Sequence, residues 1–454
     1  MSKFDYDLIV IGSGAGGSVA AAIAAHNKKR VALIESNVLG GDSANFGDVP
    51  TQTLLNVARI YGEARGADVF GIRSGMVGYN YPTIKAWKDR VVSRVGEGGS
   101  KRYYESLGVD VILGLAHFLS PFEISVNRRH LSAAHVLIAS GAEWSVPEVQ
   151  GLQKLGYLTP RSALDLIRPP KSLFVIGGGT TGLELTRLFS TFGSKVYVSE
   201  IAPRFLPRED QEVGELIATV LANRNGVTPL VGTRVTRVTK DGLGKRVYYM
   251  QGHEEKSVRV DEVLVASGKT PRVDIGLENA GVAYSPRGIE VNEHLQTAAK
   301  HIYGAGDVLG GFGLTHVALM ESRIAAHNIL HKNKLSPDYK AVPRISYVTP
   351  EVASVGFSED DLIKRDLVYQ KSMVPISIIG RSNISNQREG FVKILADKKS
   401  HRILGATVVT PNAGEVIHEL TLAIQHDLTT DAVANTLHAF PSWSEAVRIA
   451  CAKI

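Results

Sequence analysis

Two distant stretches of the chain share one pattern of apolar and polar positions. The first opens with the apolar run Leu8-Ile9-Val10-Ile11, passes glycines at 12, 14 and 17, and enters a small-residue apolar stretch from Val19 to Ala25. A short basic turn follows, then the run Val31-Ala32-Leu33-Ile34, which ends at Glu35. The second stretch begins with Leu173-Phe174-Val175-Ile176, places glycines at 177, 179 and 182, and returns through Lys195-Val196-Tyr197-Val198 to Glu200. Residues 9–35 lie over residues 174–200 without a gap. Short unbroken apolar runs bounded by glycine read as buried parallel strands, and the segment between them has the length of one helix. Each stretch is therefore predicted to be a strand–helix–strand unit.

Two further apolar strands end at Ala139-Ser140-Gly141 and Ala266-Ser267-Gly268, each with a proline soon after, Pro147 or Pro271. They read as points where the chain crosses from one unit to the other. The last hundred or so residues alternate strands (Phe391–Leu395, Ala406–Val409) with a helix from about Ala413 to His426, and carry no glycine motif. The predicted fold class is α/β, with two Rossmann-like dinucleotide-binding domains and a C-terminal α+β domain.

The glycine spacing carries chemistry. In G-x-G-x-x-G the first glycine allows a tight turn, the second lets the backbone approach a pyrophosphate, and the third lets helix pack on strand. The pyrophosphate then meets the free N–H groups of a helix N-terminus. An acid about 20 residues on accepts hydrogen bonds from the adenosine ribose. The candidate cofactor-binding residues are thus Gly12, Gly14 and Gly17 with Glu35, and Gly177, Gly179 and Gly182 with Glu200. Gly141, Gly268, Gly306 and Asp307 join them from the later glycine turns. Asp307 is open to two readings, an acceptor for sugar hydroxyls or a simple helix cap. Two sites call for two dinucleotides, usually a held FAD and a diffusing nicotinamide nucleotide. Glu200 repels a ribose 2′-phosphate, so NADH is favoured over NADPH, although Arg204 lies only four residues on.

Composition narrows the classes. With 454 residues, 44% hydrophobic and 21% charged, the chain has ample core for several domains and is neither disordered nor coiled coil. The net charge of 51 − 45 = +6 is mild, and no basic run exceeds Lys28-Lys29-Arg30, so no nucleic-acid partner is expected. No apolar stretch approaches the roughly 18 residues of a membrane span, and a cytoplasmic location is expected. His327 and His331 have a metal-binding spacing but no evident third ligand, so no metal is expected.

Further ordered motifs bring a family into view. They include Gly40-Gly41, Val49-Pro50, Gly182-Leu183-Glu184, Ala305-Gly306-Asp307-Val308, Leu314-Thr315-His316-Val317-Ala318, Pro350-Glu351-Val352-Ala353-Ser354-Val355-Gly356 and His438-Ala439-Phe440-Pro441 through Glu445. From end to end the chain resembles the pyridine nucleotide–disulfide oxidoreductases, dihydrolipoamide dehydrogenase and mercuric reductase in particular. The resemblance implies an FAD domain over residues 1–145 and 270–340, an NAD domain over 146–269, and a C-terminal interface domain over 341–454. It implies a homodimer in which each active site borrows residues from the partner's C-terminal end. Glu35 and Asp307 would hold FAD sugar hydroxyls, and Glu184 would lie beside the nicotinamide.

The departures from the family decide the expected activity. Relatives carry two cysteines, spaced C-x-x-x-x-C, where this chain has Ser43 and Asp48. The family lysine that follows is Gln52, and the histidine that serves the dithiol is Phe440, although its acidic partner survives as Glu445. Thiol–disulfide exchange needs a thiolate attacking sulfur, which a hydroxyl and a carboxylate cannot supply. The one cysteine, Cys451, reads as a small apolar residue packed in a terminal helix. The candidate catalytic residues are therefore Glu184, Asp48, Ser43, Gln52, Phe440 and Glu445. The expected function is a flavin-dependent NADH oxidoreductase that passes electrons to a small non-disulfide acceptor, quinone-like because Phe440 makes the pocket more apolar. Asp48 would donate a proton to the acceptor, or serve only as a cap or loop hydrogen bond. A peroxide-forming NADH oxidase and a non-catalytic FAD/NAD-binding sensor are the alternatives.

Overall fold

The computed structural model describes residues 3–73, 75–96, 99–224 and 226–454. Its first sheet is built outward from the apolar strand Tyr6–Ile11, which pairs in parallel with Val31–Glu35 on one side and Arg129–Ile138 on the other. Val31–Glu35 pairs onward with Val109–Leu113. Arg129–Ile138 also pairs with the antiparallel strand Glu123–Val126 at its start and with the late strand Ile302–Gly304 at its end. Leu8–Ile11 and Val31–Glu35 are buried throughout, because the helix Ala15–His26 covers one face of the sheet and Phe118, Ile124, Val126 and Leu277 pack on the other. Alanines 20, 21 and 24 thin one face of the helix Ala15–His26, so the helix Thr315–Leu330 packs closely on it. Ala20 N–H donates to Ser322 Oγ at 3.1 Å across that contact.

The second stretch forms a four-stranded parallel sheet, in the order Val227–Leu230, Lys195–Ser199, Ser172–Ile176, Glu262–Val265. Three antiparallel strands, Thr233–Asp241, Gly244–Gln251 and Glu254–Val260, form a sheet of their own. The C-terminal region is a five-stranded antiparallel sheet that includes Phe391–Asp397 and Ile403–Thr410, backed by the helices Ala413–Gln425 and Glu445–Cys451. The strands run one or two residues past their apolar runs, since half-buried positions such as Tyr6 still complete the ladder.

The repeat seen in sequence recurs in the hydrogen bonds. Gly12 N–H donates to Ile34 O at 2.8 Å, and Gly177 N–H to Ser199 O at 2.9 Å. The two pairs differ by the same offset, 177 − 12 = 199 − 34 = 165. The two crossings are also joined. Ala142–Trp144 pairs antiparallel with Lys269–Pro271, Trp144 facing Lys269, so the chain leaves the first sheet and returns to it at one place. Among the described residues no helix is long and apolar enough to cross a membrane.

Candidate active site

Both glycine motifs open onto a cleft of about 1770 Å³. That exceeds the roughly 300–1,000 Å³ of an ordinary single-ligand pocket and leaves room for more than one large ligand. Gly12, Gly14, Glu35, Ser43, Asp48, Gln52, Gly141, Gly177, Gly179, Glu184, Glu200, Gly268, Gly306 and Asp307 all line it. Gly17 and Gly182 do not. They sit where helix meets strand, and a Cβ there would stand 2.0 Å from Gly12 O or 1.9 Å from Gly177 O. Phe440 and Glu445 also lie outside the cleft of their own chain, with Phe440 77% exposed.

Each motif presents an uncapped helix. Gly14 and Gly179 are the N-caps of Ala15–His26 and Thr180–Thr191, without a side-chain cap and without an acid in the first turn. Glu35 closes the first loop by accepting from Ser13 N–H and Oγ–H at 3.0 and 2.7 Å and from Asn37 N–H at 2.8 Å. Glu200 does the same for the second, accepting from Gly178 N–H at 2.8 Å and Ala202 N–H at 2.9 Å. Arg204 reaches Asp360, at 2.7 Å, and does not line the cleft. Asp307 opens a short 3₁₀ turn without capping it, and its carboxylate lies 3.7 Å from Lys269 Nζ.

The loop after Gly40 folds back onto the first motif. Gly41 takes a positive φ of 68°, and a Cβ there would stand 2.5 Å from Gly14 Cα. This places Ser43 and Asp48 together. The Ser43 and Thr315 hydroxyls both donate to Asp48 Oδ2 at 2.6 Å, and the two hydroxyl oxygens are 3.0 Å apart. Asp48 opens the helix Asp48–Arg65, which packs against Thr180–Thr191 and so faces Glu184. Glu184 is buried and accepts from Tyr347 N–H at 2.9 Å. Burial pushes its carboxyl up to about 7; the Asp48 charge adds to the rise, while the Tyr347 N–H and Arg187 oppose it. Gln52, on the same helix as Asp48, brings no cation to this end of the cleft.

Two cluster members, Asp42 and Lys269, carried no mark in the sequence, though each adjoins a residue that did, Ser43 or Gly268. Thr315 was marked only as part of the Leu314–Ala318 motif, with no role of its own. The remaining candidates sit apart. Cys451 is buried in the C-terminal core, where burial and the Glu419 carboxylate push its thiol up to about 12. His438, two residues before Phe440, binds Glu419 at 2.5 Å. Glu445 holds one buried carboxylate oxygen without a hydrogen-bond partner. Among the described residues no three His, Cys, Asp or Glu side chains converge as a metal site.

Comparison with known proteins supplies the frame. The pyridine nucleotide–disulphide oxidoreductase profile matches residues 6–322, and that family's dimerisation domain matches residues 342–451. The chain belongs to this family. Dihydrolipoyl dehydrogenase of Thermus scotoductus is 35% identical over 453 residues, covering 97% of this chain and 96% of that protein. Mercuric reductase of Staphylococcus aureus is 32% identical over 448 residues, covering 98% of this chain and 82% of that protein. Among solved structures, the HOCl-induced flavoprotein disulfide reductase RclA from Escherichia coli, as its Cu(II) complex, superposes with a TM-score of 0.89 at 29% identity, with both chains covered in full.

The family's cofactors are FAD and NAD(P), and this chain is a member of a flavin-dependent oxidoreductase family with a dimerisation domain. The residues present fit those cofactors. Two uncapped helix N-termini behind glycine turns suit two diphosphates, and each has a carboxylate at the end of the neighbouring strand.

Proposed function

We propose that this protein is an NADH oxidoreductase that passes electrons through FAD to a non-disulfide acceptor, quinone-like in character, without a dithiol relay. One observation carries this reading. The only cysteine of the sequence is buried in the C-terminal core, while the cleft beside the first glycine motif holds Ser43 and Asp48, bound to each other. A hydroxyl and a carboxylate cannot exchange with a disulfide.

In this reading residues 1–145 and 270–340 hold FAD, residues 146–269 hold NADH, and residues 341–454 pair the subunits in a homodimer. The protein works in the cytoplasm. Gly12, Gly14 and Glu35 bind the FAD adenosine diphosphate, and Gly177, Gly179 and Glu200 bind that of NADH. NADH is preferred because the Glu200 carboxylate repels a 2′-phosphate and Arg204 is held by Asp360. FAD, when bound, supplies hydride acceptance from NADH and electron transfer to the acceptor.

The chain's own groups handle binding and protons. Glu184 exchanges a proton at its carboxylate near neutral pH. Ser43, Thr315 and Asp48 present a polar edge that orients an acceptor oxygen. The partner's Phe440 closes the pocket with an apolar wall that excludes water.

The test is an anaerobic titration of the holoprotein with NADH, followed by acceptor screening. Flavin absorbance should bleach with about one NADH per FAD, a two-electron exchange between the cofactors. Quinones should then reoxidise it faster than disulfides or oxygen. Uptake of two NADH would reveal a further redox centre and sink the reading. Flavin that stays oxidised would leave only a binding role, and peroxide formed in preference to quinone reduction would make the protein an oxidase.

A further inference from the structure

The loop that rests on the first glycine motif at Gly41 carries a charged residue, Asp42, into the cleft. Asp42 follows Gly41, whose Cα lies against Gly14, the N-cap of Ala15–His26. The Asp42 carboxylate is 2.8 Å from Lys269 Nζ, and the same ammonium is 3.7 Å from Asp307 Oδ2. Lys269 also stands 5.1 Å from the Trp144 ring centroid, on the strand pair that joins the two crossings. Burial works against the Lys269 charge, but Asp42 and Asp307 outweigh it and hold its pKa above the ordinary lysine value. One cation is therefore shared between two carboxylates, and the three groups together carry a charge of 1 − 2 = −1.

A dinucleotide brings a negatively charged diphosphate to this place, attracted by the free N–H groups at the helix start. Asp42 opposes that attraction twice. It repels the diphosphate, and it engages an ammonium that would otherwise be free to attract it. We propose that Asp42 sets the FAD affinity of this protein: by holding Lys269 it weakens flavin retention, so that FAD exchanges more readily than the glycine loop alone would permit. This rests on the reading that the first motif holds FAD.

The experiment measures FAD release from the holoprotein on dilution, by the fluorescence of freed flavin, at about 0.05 M and about 1 M salt. Asp42→Asn and Asp42→Ser should each hold FAD about tenfold more tightly than wild type at low salt, the effect of one close unit charge near a protein surface. That gain should shrink toward parity at about 1 M salt, where the screening length falls to about 3 Å. Lys269→Met should release FAD more readily than wild type. The proposal is overturned if neither Asp42 variant binds more tightly, or if the gain is undiminished at high salt. Gly17→Ala distinguishes loss of the FAD site from loss of the Asp42 effect. If that variant keeps FAD as well as wild type does, the assignment of FAD to the first motif fails; if it loses FAD while the Asp42 variants gain nothing, only the role of Asp42 fails.

Discussion

A buried carboxylate with no cation bound to it responds to pH in a definite direction, and Glu184 is such a group. Its folded value near 7 lies above the ordinary 4.5 because burial disfavours the charge. Folding therefore takes up a proton between those two values. The associated stability is complete below about pH 4.5 and is lost as pH rises through about 7. Glu184→Gln keeps an acceptor for the Tyr347 N–H but cannot ionise. Its stability relative to wild type should rise across that window, with a difference on the order of 3 kcal/mol above neutrality. Urea unfolding at about pH 5 and about pH 8 measures this; a difference that does not grow with pH would show that Glu184 does not titrate there. At the same scale the sequence was informative where the chemistry is local. The motif glycines and the strand-end acids Glu35 and Glu200 declared themselves by spacing. The Asp42–Lys269 pair spans 227 residues of chain, and no local pattern announces a partner that far away.

Elements were legible for a different reason. Apolar runs and glycine turns state both the type of an element and the type of its successor, so each strand–helix–strand unit is readable without its packing. Thr315 could not be read in this way, because its contact with Asp48 depends on how the helix it begins is carried to the loop by Ala15–His26. The third glycine of each motif gives a test at this level. A Cβ on Gly17 or Gly182 meets a backbone oxygen at 2.0 or 1.9 Å, and neither oxygen is free to move without displacing its own strand. Gly17→Ala should release FAD, visible as loss of the yellow chromophore. Gly182→Ala should retain FAD but lose reduction by NADH. Equal loss of both functions in both variants would mean that the two units do not bind their cofactors separately.

Across the whole molecule one buried cation ties the start of the helix Gln211–Asn223, beside the second parallel sheet, to the C-terminal domain. Lys393 is 1% exposed and meets Asp210 at 3.2 Å, Glu212 at 3.0 Å and Glu359 at 2.6 Å. Burial alone would raise the Glu359 pKa, yet Lys371, Lys393 and Tyr369 hold it down at about 2. Nothing in the apolar strand around Lys393 marked it as a hub, because its three partners come from two other segments. Lys393→Met leaves the buried Asp210 unpaired beside two half-buried carboxylates, so it should cost about 3 kcal/mol and lower the melting temperature of the holoprotein. A loss below about 1 kcal/mol would place the network among ordinary surface pairs.

The paired crossings at Ala142–Trp144 and Lys269–Pro271 bear on how such a chain arises and can be rebuilt. The host sheet is interrupted between strands that end and resume on one side, and the inserted stretch has its two ends facing each other across a three-pair antiparallel ladder. A coding segment of that kind is gained, lost or exchanged in one event, since the host strands keep their order and nothing has to be unthreaded. A foreign nucleotide-binding cassette grafted between the same two short strands would inherit the junction ready-made.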